Sequence, residues 1–246
     1  MRKDRKTGVQ KEDWVKTIGL LGGMSWESTE LYYRLINEGV KKKLGGLHSA
    51  RIVMVSVDFD PVEKRQHSGK WEETGQLLAE EALKIEAAGA HFLLICTNTM
   101  HRVASQVAAA IHIPLLHLAD VTADRIKAHR MQTIGLLGTR FTMEQDFYRG
   151  RLESDHGLNV IVPSESDRKI VHRIIYDELC LGVVKEDSRK EYLRIMEKMR
   201  ADGAEGIIEG CTEIVMLVQQ VHTDIPLFDT TAIHAEAAVE MALCPS

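Results

Sequence analysis

The stretch Leu93-Leu94-Ile95-Cys96-Thr97-Asn98-Thr99-Met100-His101 decides the fold of this chain. An apolar run stops abruptly at thiol, hydroxyl and amide side chains, which is typical of the end of a buried parallel strand. Polar groups just past the carboxyl end of such a strand lie where open α/β sheets bind ligands. The stretch predicts a ligand site here, although a capped strand end without chemistry gives the same pattern.

A second copy of this pattern follows later in the chain. Gly89-Ala90 precedes the first strand, and Gly203-Ala204 precedes Ile207-Ile208-Glu209-Gly210-Cys211-Thr212-Glu213, at an offset of 114 residues. At this offset Thr97 falls on Cys211, whereas pairing Cys96 with Cys211 would turn one side chain to the opposite face of its strand. We therefore interpret Thr97 as the partner position of Cys211.

Two further repeats support a duplicated architecture. Thr17–Gly22 is repeated at Thr133–Gly138, and Pro114–Ala119 is echoed by Pro226–Thr231, at offsets of 116 and 112 residues in the same order. Alternating strands and helices then predict an α/β fold with two pseudo-symmetric domains. Each domain is expected to hold a four-stranded parallel sheet flanked by helices, with the active site in the cleft between them.

The same pattern predicts the boundaries of the parts. Pro61 to Gly69 is expected to be a charged loop and is a lid candidate by composition. We expect a flexible N-terminal extension at 1–16, a first domain at 17–119, a second domain at 120–230, and a C-terminal helix at 231–246 that packs back on the first domain.

Composition narrows the class of protein. The chain has 246 residues, of which 44% are hydrophobic and 27% charged, which is ordinary for a globular protein. A formal charge of −5 does not predict nucleic-acid binding, and no apolar run reaches the length of a membrane span. The four cysteines fit neither a disulfide framework nor a zinc pattern, and residues 1–16 do not resemble a signal peptide. A cytoplasmic protein with a small-molecule ligand is expected.

Three motifs together resemble the cofactor-independent aspartate/glutamate racemase family. They are Gly22-Gly23-Met24-Ser25, Thr97-Asn98-Thr99 followed by Met100-His101, and Gly210-Cys211-Thr212-Glu213. The resemblance covers nearly all of residues 17–243. It is strongest to the enterobacterial members that are specific for L-aspartate and L-glutamate or that accept many amino acids.

The resemblance implies a two-base reaction in which one group removes the α-proton and another returns a proton on the opposite face. Thr97 stands where the family has its first cysteine, which leaves Cys211 as the thiol of the pair. Cys211 and Thr97 are therefore the expected catalytic residues, with Cys211 acting on the L enantiomer and D substrate used slowly or not at all. The residues expected to bind substrate are Met24, Ser25, Asn98, Thr99, Thr139, Thr212 and Glu213.

The resemblance also implies that the enzyme needs no metal or pyridoxal phosphate and forms a homodimer. Aspartate-like or glutamate-like substrates are expected. Neutral amino acids such as homoserine stay open, because the arginine and lysine that hold the side-chain carboxylate in aspartate racemases are not evident at 58–63 or 179–182. Cys180 is expected to pack at a helix end, Cys96 to be a buried strand residue, and Cys244 to be exposed.

Three other functions compete with the racemase. The first is a related cysteine-dependent decarboxylase or isomerase of the same fold, and the second is an amino-acid-binding protein without catalysis. A dinucleotide enzyme is disfavoured, because Gly19-Leu20-Leu21-Gly22-Gly23 lacks the full glycine spacing of that class.

Overall fold

The computed structural model describes residues 15–244, in which strands alternate with helices. The strands are β1 Ile18–Gly22, β2 Ile52–Ser56, β3 Phe92–Ile95, β4 Thr133–Gly138, β5 Asn159–Ile161, β6 Ile207–Gly210 and β7 Leu227–Asp229. The α-helices are α1 Trp26–Leu44, α2 Phe59–His67, α3 Trp71–Ala87, α4 Ala104–Ala110, α5 Leu118–Ala128, α6 Arg140–Glu144, α7 Asp146–Ser154, α8 Glu165–Asp177, α9 Glu186–Ala201, α10 Ile214–Leu217 and α11 Thr230–Leu243. Short 3-10 helices are Thr99–Val103, Leu179–Leu181 and Gln220–His222.

Two separate parallel sheets confirm the predicted α/β class. The first has the order β2-β1-β3 and the second has the order β5-β4-β6-β7. β1 is the central strand of the first sheet, and β4 is an interior strand of the second. The carboxyl end of each therefore lies beside the carboxyl ends of its neighbours. The residues that follow these strands are thereby gathered at one edge of each sheet.

The prediction of four strands in the first sheet is wrong. The segment after Pro114 makes only one isolated bridge, between Leu93 and Leu115. The Leu93 N–H donates to the Pro114 carbonyl at 2.8 Å, and the Leu116 N–H donates to the Leu93 carbonyl at 2.9 Å. The chain then enters α5 after its N-cap His117, so the ladder stops before a strand forms.

The charged stretch after β2 also differs from its prediction as a loop. Residues Phe59–His67 form α2, whose N-cap Asp58 accepts a hydrogen bond from the Asp60 N–H. Pro61 lies in the first turn, where the lack of an N–H costs no intrahelical hydrogen bond. Val62 and Gln66 are buried on one face, so the segment is a packed helix rather than an open loop.

Alternate side chains of each buried strand pack on opposite faces of its sheet. In β3, Leu93 and Ile95 pack against α3, whereas Phe92 and Leu94 join a cluster with α1 and α11. The second sheet is covered in the same way, by α8 and α9 on one face and by α5 and α7 on the other. This covering explains why the strands read as continuous apolar runs.

The C-terminal helix α11 packs on the first sheet although it follows the last strand of the second sheet. Ala235, Ala238 and Val239 share an apolar cluster with Ile36 and Val40 of α1. The division predicted at residues 119 and 120 falls inside α5 and stays a prediction. Most of the predicted N-terminal extension, up to residue 14, lies outside the described residues. Within residues 15–244, no helix has the length and apolarity that crossing a membrane requires.

Candidate active site

A cavity of about 740 Å³ lies at the carboxyl ends of both sheets. Its walls come from the segments that follow β1, β3, β4 and β6, as the repeat of strand-end motifs predicts. The nine residues predicted for the site all line it, namely Met24, Ser25, Thr97, Asn98, Thr99, Thr139, Cys211, Thr212 and Glu213. The structure therefore brings together residues that are up to 189 positions apart in the sequence.

Strand register relates the two halves and agrees with the repeat alignment. Leu21 of β1 is paired with Ile95, and its repeat partner Leu137 of β4 is paired with Glu209. Ile95 and Glu209 are thus equivalent, two residues before Thr97 and Cys211 respectively. Cys96 is equivalent to Gly210 and is fully buried, as predicted.

The thiol of Cys211 is held by a carboxylate. Its Sγ donates a hydrogen bond to Glu213 Oε2 at 2.7 Å, and the same oxygen accepts from Thr212 Oγ1 at 2.9 Å. Burial and the Glu213 carboxylate raise the pKa of the Cys211 thiol well above its usual range. The thiol is therefore protonated at neutral pH, and Glu213 is positioned to accept its proton when a thiolate is needed.

A hydrogen bond between Ser28 and Thr212 joins the two halves across the site. Ser28 Oγ in the first turn of α1 lies 2.7 Å from Thr212 Oγ1, which follows β6. Since the single hydroxyl proton of Thr212 goes to Glu213, Ser28 is the donor in this pair. A chain of hydrogen bonds thus runs from Ser28 of α1 through Thr212 to the Glu213 carboxylate, which also accepts from the Cys211 thiol.

A buried polar chain fixes Asn98. Its Nδ2 donates to Thr230 Oγ1 at 3.2 Å, and Thr230 donates to the Glu209 carbonyl at 2.9 Å. Asn98 is only 6% exposed, and its Oδ1 lacks a hydrogen-bond partner among the described residues. A buried amide oxygen of this kind is costly unless a ligand donor satisfies it.

Helix caps account for part of the structural role of Ser25 and Thr139. The Ser25 side chain accepts from the Ser28 N–H, and Thr139 accepts from the Thr142 N–H, both at 3.4 Å. These contacts are long, so both hydroxyls keep capacity for a further hydrogen bond. The caps also direct the N-terminal ends of α1 and α6 toward the cavity.

Several lining residues were not found by sequence reasoning. Cys180 is exposed and lines the cavity from the short helix Leu179–Leu181, which corrects the prediction that it is packed. Burial of part of its surface raises the pKa of the Cys180 thiol to about 12, with a smaller effect from Glu213. The run Leu179-Cys180-Leu181, directly after a helix and before Gly182, is the signal in the sequence that corresponds to this wall.

The charged side chains that line the cavity are negative. Glu27, Glu63 and Glu213 line it, whereas none of the lining residues within 15–244 is Lys, Arg or His. Glu213 is engaged with Cys211, and Glu63 lies 2.9 Å from His67 Nδ1. A zwitterionic amino acid would bring an ammonium group into this field, and a substrate with an acidic side chain would bring a second carboxylate. In residues 15–244, no three His, Cys, Asp or Glu side chains form a group that could hold a metal ion.

A family profile and a curated relative both relate this chain to amino acid racemases. The profile described as "Asp/Glu/Hydantoin racemase" matches residues 21–238. The broad specificity amino-acid racemase RacX of Bacillus subtilis is 22% identical over 231 residues, which cover 92% of this chain and 98% of that protein.

Two solved structures resemble the whole described fold. A provisionally named Asp/Glu racemase from Yersinia pestis is 55% identical, with a TM-score of 0.90 over 93% of this chain and 100% of that one. An aspartate racemase homologue from Pyrococcus horikoshii OT3 is 31% identical, with a TM-score of 0.83 over 92% of this chain and 99% of that one.

Proposed function

The chain belongs to the Asp/Glu/hydantoin racemase family and is an amino acid racemase, and we propose that it inverts the α-carbon with Cys211 and Thr97 on opposite faces. One observation carries this proposal. The two residues occupy register-equivalent positions after β3 and β6, and both line one cavity. An acid–base group on each side of a carbon is what removal and return of a proton on opposite faces requires.

We propose that Cys211 takes the α-proton of the L enantiomer. The thiol first passes its proton to Glu213, with which it already shares a hydrogen bond of 2.7 Å. The ammonium group of the bound substrate favours this transfer, because a nearby positive charge stabilises a thiolate. The substrate α-proton then moves to Sγ, and the electron pair passes into the substrate carboxylate. Backbone N–H groups at the starts of the helices after Ser25, Asn98 and Thr212 are suited to stabilise that charge.

Thr97 then has to deliver the second proton. A threonine hydroxyl is a weak acid and a weak base, so we propose that it donates its proton directly or relays one from water. The equilibrium constant between enantiomers is 1, so kcat/KM must be equal in the two directions. Slow use of D substrate therefore implies equally slow formation of D product, while exchange of the L α-proton at Cys211 stays fast.

The test is proton NMR in D₂O with separate L and D enantiomers of aspartate, glutamate and homoserine. Wild type should exchange the α-proton of an L substrate faster than it forms the D enantiomer. Cys211→Ser should lose both processes, Thr97→Val should keep exchange and lose inversion, and Thr97→Cys should raise inversion in both directions. Exchange that survives in Cys211→Ser would refute the assignment of the base.

The same samples separate the alternatives. Release of carbon dioxide from a malonate, without exchange at any amino acid, would instead support the cysteine-dependent decarboxylase. Binding of amino acids without exchange would support a non-catalytic binding protein. Exchange and inversion in buffer treated with a chelator and free of pyridoxal phosphate would support the proposal that no cofactor takes part.

We further propose that the enzyme works in the cytoplasm as a homodimer. Its four cysteines are all unpaired, which suits a reducing compartment. Dimerisation is carried over from the family and needs its own test. Light scattering of the eluted full-length chain should give twice the mass of 27.7 kDa, and a mass of one chain would refute the dimer.

A further inference from the structure

We propose that His101 is a positioning residue that sets the place of Thr97 opposite Cys211. This inference rests on the proposed function, since it concerns the residue that returns the proton. His101 lies in the short helix Thr99–Val103 behind the cavity wall and is only 3% exposed. Its ring reaches back to the backbone of Thr97 rather than into the cavity, so it acts through Thr97.

The hydrogen bonds of His101 define its tautomer. The Leu118 N–H donates to His101 Nε2 at 3.2 Å, so Nε2 carries a lone pair and the ring proton is on Nδ1. The Nδ1–H then donates to the Thr97 carbonyl at 2.8 Å. One neutral ring therefore ties the turn after β3 to the start of α5, 17 residues further along the chain.

Two more buried histidines lie next to the His101 ring but do not form hydrogen bonds with Thr97. The ring centroid of His101 lies 4.6 Å from that of His117 and 5.8 Å from that of His234. His234 Nε2–H donates to the Leu116 carbonyl at 2.8 Å, while its Nδ1 accepts from Tyr32 at 2.9 Å. His117 Nδ1 accepts from the Ala119 N–H at 3.2 Å. The segment 116–119 is thus held by three rings, and His101 is the one that transmits its position to Thr97.

Burial keeps these rings neutral, which preserves the donor and acceptor pattern. It lowers the pKa of His101 to about 4 and that of His234 to about 3. A second proton on His101 would convert Nε2 into a donor facing the Leu118 N–H. The two hydrogen bonds of His101 therefore persist throughout the neutral pH range. They are suited to holding the Thr97 backbone at a fixed position rather than to transferring a proton.

The rate of proton delivery depends more strongly on position for the Thr97 hydroxyl than it would for a thiol. The threonine hydroxyl is a poor proton donor, so it needs close contact with the α-carbon to act at all. Displacement of a reacting group by about 1 Å can cost about 100-fold in rate. Cys211 is located by Glu213, which follows β6 of the second sheet, so loss of the His101 contact leaves the base of the L face in place.

The test separates the two hydrogen bonds of His101. In His101→Asn the amide nitrogen takes the place of Nδ1 and keeps the bond to Thr97. In His101→Gln the amide oxygen takes the place of Nε2 and keeps the bond to Leu118. His234→Gln is the matched control, because that histidine is equally buried and holds the same segment without contacting Thr97.

The measured quantity is the ratio of D product formation to α-proton exchange for an L substrate in D₂O. We expect His101→Gln to lower this ratio by at least about tenfold with exchange within threefold of wild type. His101→Asn and His234→Gln should keep the wild-type ratio, even if both rates fall together. An unchanged ratio in His101→Gln would overturn the inference, because a general loss of structure lowers both processes alike.

Failure of the proposed function gives a different result. In that case wild type shows no exchange, or Thr97→Val leaves the ratio unchanged, and the inference falls with its premise. If His101→Gln does not fold, His101→Met provides the second variant, since it fills similar volume and removes both hydrogen bonds. The same tenfold criterion applies to it, with thermal unfolding as the check of folding.

Discussion

Cys211 and Glu213 form a thiol–carboxylate pair whose charge state matters for the reaction. Burial and the carboxylate raise the pKa of the thiol, and the carboxylate also offers the oxygen to which we propose that the thiol proton moves. A resting protonated thiol protects the group from oxidation, because the thiolate is the reactive form. In the proposed reaction, the pair keeps Cys211 in its unreactive form until the substrate ammonium group supplies a compensating positive charge.

Glu213→Gln separates these two effects of the carboxylate. We expect kcat for exchange of the L α-proton to fall about 100-fold, because the proton acceptor is lost. The pH midpoint for alkylation of Cys211 by iodoacetamide should move down, because the negative charge that raises its pKa is removed. Glu63→Gln, which lines the same cavity without touching the thiol, is the control and should leave the alkylation midpoint in place. An unchanged exchange rate in Glu213→Gln would exclude Glu213 as the proton acceptor.

Glu209 is a second carboxyl group whose pKa is shifted by its surroundings. This shift makes the stability of the folded chain depend on pH. It is 3% exposed, and burial together with Asp229 raises its pKa to about 8. The unfolded chain releases this proton near pH 4.5, whereas the folded chain keeps it to about pH 8. The folded state therefore binds the extra proton in this window, and stability falls as pH rises through it.

Glu209→Gln should flatten that dependence. We expect the free energy of unfolding of wild type, measured relative to that of the variant, to fall by no more than about 2 kcal/mol between pH 6.5 and 8. Urea denaturation at pH 6.5, 7.2 and 8 measures it. The buried histidines act in the opposite direction in both proteins, because they are neutral in the folded chain but half protonated near pH 6.5 in the unfolded chain. Each therefore adds about 0.4 kcal/mol of stability as the pH rises to 8. A wild-type slope that persists in the variant would assign the effect to another group.

The turn between β1 and α1 is the element that shapes the first wall of the site. Gly23 has a φ of +89°, and a Cβ there would lie 2.2 Å from the Val57 carbonyl oxygen. The Gly23 N–H donates to Thr29 Oγ1 at 2.8 Å, which closes the turn onto its own helix. Backbone approach of this closeness explains why glycine is required before Met24 and Ser25.

Gly23→Ala should lower the free energy of unfolding by more than about 2 kcal/mol, because positive φ and a backbone clash act together. It should also raise KM, since Met24 and Ser25 move with the turn. Gly45→Ala is the control at the other end of α1, where φ is +77° and no heavy atom lies within 4 Å of the added Cβ. The control should cost roughly 1 kcal/mol and leave KM unchanged. Equal effects on KM in the two variants would contradict a role of the turn in substrate binding.

At the scale of the whole molecule, the two sheets meet at a cavity with a negative lining. Carboxylates reach it from α1, from α2 and from the segment after β6, so its charge is a property of the assembled fold. Apolar side chains such as Phe59, Ile175 and Met216 complete the wall. An acidic substrate side chain would find no cationic partner among the lining residues in the described part of the chain.

We therefore expect kcat/KM to be higher for L-homoserine or L-ornithine than for L-aspartate, by at least about threefold at low ionic strength. Salt should narrow the difference, because it screens the repulsion between carboxylates. Glu63→Gln should raise kcat/KM for L-aspartate more than for L-homoserine. A preference for L-aspartate that is independent of salt would show that the negative lining does not select the side chain.

Much of the site was predictable from the sequence because its residues lie directly after strands. Apolar runs followed by Ser25, Thr97, Thr139 and Cys211 mark strand ends, and parallel strands bring such ends to one edge. The offset of 114 residues also predicted the equivalence of Thr97 and Cys211, which strand register supports. These features depend on local periodicity and on side-chain chemistry, both of which are present in the linear chain.

The tertiary structure decided what depends on contacts between distant segments. Ser28 meets Thr212 across 184 positions, and α11 crosses back to α1, because each apolar or polar face is satisfied only by a partner elsewhere in the chain. The segment after Pro114 resembles a strand but makes only two ladder hydrogen bonds before α5 begins, and Cys180 enters the cavity through a turn between two helices. The sequence by itself determined the class of fold and the chemistry at the strand ends, since short-range patterns carry both. The shape and charge of the cavity were decided only by packing, because they arise from side chains that no local pattern relates.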